Sequence, residues 1–70
     1  MNANYYRLTE ALEVWDKESG QKAILMPGQV VWVFGGNAFC RGTELIADLQ
    51  LLHKRSIEAP GNTLSGNLSN

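Results

Sequence analysis

The chain has 70 residues, 44% of them hydrophobic, with one cysteine and one histidine. That length allows one small domain, which buries only about 60% of the surface its unfolded chain exposes. Cys40 and His53 exclude an internal disulfide and are too few for a structural zinc site, so association with another chain is the remaining way to staple so small a core. Seven acidic residues against six basic ones give a net charge of −1, which sets up no strong field toward nucleic acid or an anionic membrane.

The opening segment Met1–Arg7 lacks the basic patch and apolar stretch of a secretory signal. No run approaches the roughly 20 apolar residues of a spanning helix. A free cysteine with no export signal fits a reducing compartment, so the expectation is a cytoplasmic protein with no membrane partner.

The first predicted element is a strand over Ala11–Asp16. Tyr5, Leu8, Leu12 and Trp15 are also spaced three and four apart, as on a helix, but the turn signals that follow favour the strand. Lys17-Glu18-Ser19-Gly20 reads as a four-residue loop with glycine in the left-handed position at its end. It pairs Trp15 with Lys22, Val14 with Ala23 and Leu12 with Leu25.

The run Lys22–Phe34, broken by Pro27-Gly28, reads as a β-hairpin. Proline presets φ for the first corner of a type II turn, and glycine accepts the positive φ of the second. The flanks are β-branched, aromatic and aliphatic, suited to a pleated, buried surface. A two-residue turn pairs Leu25 with Val30, Ile24 with Val31 and Ala23 with Trp32. Leu12, Val14, Ala23, Leu25, Val30 and Trp32 then share one face, the expected core. Glu13, Trp15, Lys22, Ile24, Met26, Val31 and Val33 share the other. A solvated sheet face should be mostly polar, and this one is mostly apolar.

Gly35-Gly36-Asn37 reads as a loop and Ala38–Arg41 as a short fourth strand. From Thr43 to Arg55 the expectation is a helix. Thr43 serves as its cap, Leu45, Ile46, Leu49 and Leu52 form a stripe, and His53-Lys54-Arg55 sit at the negative end of the dipole. The rival reading takes the alternation Leu45, Ala47, Leu49, Leu51 and Ile57 as strand. The uncharged tail from Ala59 to Asn70 is expected to be disordered. The expected fold is therefore α+β: a three- or four-stranded antiparallel meander with a C-terminal helix over residues 1–58, or alternatively a small SH3-like barrel.

No motif carries catalysis or a cofactor. Cys40 and His53 lack a recognisable third orienting group and oxyanion hole. Gly35-Gly36 lacks the lysine and hydroxyl residue of a phosphate loop. Glu10, Glu13, Asp16 and Glu18 read as a solvated acidic strip. The expectation is a non-enzymatic binding or regulatory module without cofactor or metal. Its partner surface would hold Trp15, Ile24, Met26, Val31 and Val33, and the partner would be a second copy or a larger protein. The alternative is a nucleic-acid-binding module using Arg41, His53, Lys54 and Arg55 with exposed aromatics.

Overall fold

The structure, a computed structural model, describes residues 3–59. Within them run seven strands and one helix: β1 Asn4–Leu8, β2 Leu12–Asp16, β3 Lys22–Leu25, β4 Val30–Phe34, β5 Asn37–Cys40, β6 Thr43–Ile46, α1 Leu49–Lys54 and β7 Ser56–Ala59. They form one antiparallel sheet in the order β3-β2-β6-β5-β4-β1-β7. This is a mostly β domain with more strands, and a less sequential order, than the expected three- or four-stranded meander.

The β2–β3 hairpin has the expected register, with Leu12 opposite Leu25, Val14 opposite Ala23 and Trp15 opposite Lys22. Asp16 builds its loop: one carboxylate oxygen accepts from the Glu18 and Ser19 amides at 2.8 and 3.1 Å. The Asp16 amide closes the loop onto the Gln21 carbonyl at 2.8 Å. This is the local side-chain capture of backbone that makes aspartate a turn former.

The Pro27-Gly28 turn forms, but the hairpin predicted around it does not. Gln29 N–H donates to the Met26 carbonyl at 3.1 Å, and Gly28 has the positive φ, 95°, of a type II second corner. Gly28 N–H then donates to the Leu8 carbonyl, and Leu8 N–H to the Gln29 carbonyl. The chain is thereby handed to β1. β4 pairs with β1 and β5, and β3 pairs only with β2. Freed from β3, β4 presents the opposite faces from those expected: Val31 is buried, while Val30 and Trp32 are only partly buried.

Two tight turns follow. Gly35 and Gly36 both have positive φ, 60° and 81°, the type I′ geometry that suits a two-residue hairpin. They join Phe34 to its partner Asn37. Arg41-Gly42 repeats this geometry between Cys40 and Thr43. Beyond it, the predicted helix from Thr43 to Arg55 divides in two. Thr43–Ile46 is strand β6, and the helix begins at Leu49, capped by Asp48 rather than Thr43. The Asp48 carboxylate accepts from the Gln50 and Leu51 amides at 3.0 and 3.2 Å, and His53 and Lys54 occupy the last turn. Ala59, assigned above to the tail, lies in β7 opposite Tyr5. The rest of the expected disordered tail lies outside the described residues.

Tyr6, Leu8, Leu12, Val14, Leu25, Val31, Ala38, Cys40, Leu45 and Leu52 form a single buried cluster. Six strands contribute to it, always through one set of alternating positions, and among the described residues a six-residue helix is the one element outside the sheet that covers it. The sheet therefore curls until strands far apart in its order share one interior. Thr9 N–H to the Arg55 carbonyl and Leu8 N–H to the Gln29 carbonyl extend the β1–β7 and β1–β4 ladders by one residue. Arg55 Nη1 ties the end of α1 to the Ala11 carbonyl in the β1–β2 connection at 2.9 Å. β3 and β7 remain the two edges of the order.

Candidate interaction surface

The outer face of the sheet carries the unusual chemistry. Positions next to the core residues point outward, and on β2, β3 and β6 these are Glu13, Trp15, Lys22, Ile24, Glu44 and Ile46. Trp15 is 41% exposed, Ile24 60%, Met26 57% and Ile46 55%. Pairing brings them together: Trp15 lies between Lys22 and Ile46, and Ile24 lies opposite Glu13. Met26 follows Ile24 by two residues, just beyond the end of β3. The charges within this patch neutralise each other, with Lys22 Nζ 3.1 Å from Glu13 Oε2. Both side chains are about half exposed, so the pair contributes little to stability.

A second row adjoins the patch through β6. Tyr5 lies opposite both Ala59 and Trp32, Trp32 opposite Phe39, and Phe39 opposite Glu44. Trp32 and Phe39 are stacked, with ring centroids 4.4 Å apart and planes inclined by 17°. Glu44 is held by Lys17 at 3.1 Å. Phe34, opposite Asn37, lies on this face as well. Five of the six aromatic side chains thus sit on the outside of the sheet, and Tyr6 alone is in the core.

Of the predicted partner-binding residues, Trp15, Ile24 and Met26 stand together on this surface. Val31 is 1% exposed in the core and Val33 packs against it. Both leave the site, because the register that placed them there depended on the missing β3–β4 hairpin. Ile46, Trp32, Phe39 and Tyr5 join it instead. A signal for the aromatic row existed: a Gly-Gly two-residue turn after Phe34 fixes Trp32 opposite Phe39.

The predicted basic cluster is divided, with Arg41 apart from His53, Lys54 and Arg55 at the end of α1. Arg41 is in the β5–β6 turn, whereas α1 leaves from the opposite end of β6. The Arg55 guanidinium is engaged on the Ala11 carbonyl. His53 packs its ring against Tyr6, with centroids 4.8 Å apart. Lys54 remains exposed at the helix end.

Cys40 is 5% exposed, and burial raises its thiol pKa despite the opposing charge of Arg41. That is the reverse of what an activated thiolate nucleophile requires. Among the described residues no group of three potential metal ligands comes together, and no helix is long and apolar enough to cross a membrane. The chain matches no protein-family model, no curated protein and no solved structure. The reading of the surface therefore rests on its geometry.

Proposed function

We propose that this chain is a small, non-enzymatic protein-binding module with an accessory or regulatory role, docking a protein partner on the outer face of β2, β3 and β6. One observation carries the reading: Trp15, Ile24, Met26 and Ile46 are large apolar side chains, each more than two-fifths exposed, clustered on one sheet face. Contiguous apolar surface of this kind on a small domain marks an interaction site. Tryptophan is the residue type most often found among those that dominate interface energies. The separation of Arg41 from His53 and Lys54, and the engagement of Arg55 on the Ala11 carbonyl, favour this reading over nucleic-acid binding, which needs a continuous basic track beside its stacking platforms.

The test is site-specific photo-crosslinking in cells expressing the full chain. Probes at positions 24 and 46 should capture protein adducts, and a probe at exposed Glu10, in the β1–β2 connection, should not. A probe at position 26 should capture the same adducts, and the variant Ile24→Lys with Ile46→Glu carrying that probe should stay folded and lose them. Absence of adducts at positions 24 and 46 would overturn the proposal. So would salt-dependent binding of random RNA or DNA that is abolished by Arg41→Glu with Lys54→Glu.

A further inference from the structure

Resting on that reading of the face, we infer that its occupant is a second copy of this chain, packed face to face across a two-fold axis with Glu13 of each copy beside Lys22 of the other. The charge pattern is the first argument. Inside the apolar patch lie one anion and one cation, 3.1 Å apart, with side chains 49% and 54% exposed. A two-fold interface uses the same surface twice and must therefore complement itself. Rotating this neutral, dipolar patch onto itself can bring each carboxylate to an ammonium. A strongly acidic or basic partner would instead meet like charge over half of it.

The size of the patch points the same way. With roughly 200 Å² for a large side chain, the exposures of Trp15, Ile24, Met26 and Ile46 amount to on the order of 400 Å² of apolar surface. That is about half of what one partner gives to a standard interface. Phe39, on β5 beside β6, and the opposite charges of Lys17 and Glu44 adjoin the patch and extend it. The core consists of ten residues, and neither disulfide nor metal cluster occurs among the described residues. Burial against a second sheet at the usual spacing of about 10 Å would supply that missing reinforcement.

β3 bears Lys22 at the open margin of the sheet, and edge lysines discourage open-ended strand addition. That disfavours strand addition at the β3 edge, next to the patch, and leaves association to the face, where it closes at two copies.

A charge-swap experiment in trans tests this on the full chain, with sedimentation equilibrium and native mass spectrometry as readouts. Wild type should be dimeric. Lys22→Glu gives a copy with two acids in the patch and Glu13→Lys a copy with two bases. Each alone should dissociate about tenfold more readily or worse, because it now opposes like charge. Mixed in equal amounts, the two should form a mixed dimer in preference to either homodimer. Circular dichroism checks that each variant is folded. Ile46→Lys, two strands away from Lys22 and opposite Trp15 rather than Glu13, puts a charge into the apolar patch away from the ion pair and is a second route to the monomer. A wild type that stays monomeric into the hundreds of micromolar overturns the second copy as occupant; crosslinks from position 24 to a different protein would then leave the protein-binding reading standing. A dimer indifferent to all three substitutions overturns the face itself as the interface.

Discussion

Leu52 is the test of how the short helix is held. It is fully buried, at 0% exposure, and belongs to a six-residue helix, too short to be stable in isolation. Packing must therefore hold α1, and Leu52 is its one fully buried residue. Removing a buried leucine side chain to the β-carbon costs about 2–5 kcal/mol, combining lost transfer energy with the cavity left behind. For this site we expect about 3 kcal/mol, since its neighbours β1 and β7 are tied into the sheet and cannot collapse inward freely. At about 0.05–0.15 kcal/mol per residue, a domain this small has a total stability of only several kcal/mol. Leu52→Ala should therefore lower the thermal midpoint by well over 10 °C, given about 4–8 °C per kcal/mol at this size. Circular dichroism melting of the full chain measures it, with Ile57→Ala as a surface control because Ile57 is 64% exposed. A Leu52→Ala midpoint within 2 °C or so of wild type would refute the docking of α1 as the closure of the core.

Three further outcomes follow from the same geometry. Val31→Ala should cost about 2 kcal/mol and Val30→Ala clearly less; chemical denaturation curves check the pair, and the reverse order would restore the face assignment expected from the sequence. Burial, with a smaller contribution from the Glu58 carboxylate, raises the Tyr6 hydroxyl above its ordinary value of 10.0. A raised pKa gives stability that is complete below the unfolded value and is lost as pH rises through the folded one, so melting temperature should fall above about pH 10, and less steeply in Tyr6→Phe. Burial likewise raises the Cys40 thiol above 9.0, with Arg41 opposing, so a thiol reagent at pH 8 should modify the folded chain far more slowly than the urea-unfolded one; equal rates would show that Cys40 is accessible.

Parts of the fold were legible wherever a local turn fixes its own pairing. The Asp16–Gly20 loop determines which residue faces which across β2 and β3, and the face holding Trp15, Ile24 and Met26 follows from it. Pro27-Gly28 was legible as a turn but not as a crossover. Turn chemistry states where the chain reverses; it does not state which strand it meets next. Here Leu8 takes the Gly28 and Gln29 backbone groups, and a change of one residue in register exchanges Val31 for Trp32 at the core. Thr43–Lys54 satisfied helical and alternating patterns at once because it contains both elements. The missed boundary signal was Asp48, a better cap than Thr43 and placed directly before the Leu49–Lys54 run.

The distribution of aromatics follows from the same curl and explains why the surface was only half legible. A sheet bent around a ten-residue interior has a small inner radius. The positions it can fill at normal packing density suit leucine, valine, alanine and cysteine, with Tyr6 the one aromatic admitted. Outside, the same bend spreads side chains apart and leaves room for rings. Trp32 and Phe39 recover contact there by stacking on each other, a local gain beyond burial. Sequence reasoning sends tryptophan and phenylalanine inward because burial usually rewards their area most. In a domain this small the interior cannot accept them. They are left on a convex face beside Trp15 and Ile46, where a partner surface can bury what the core could not.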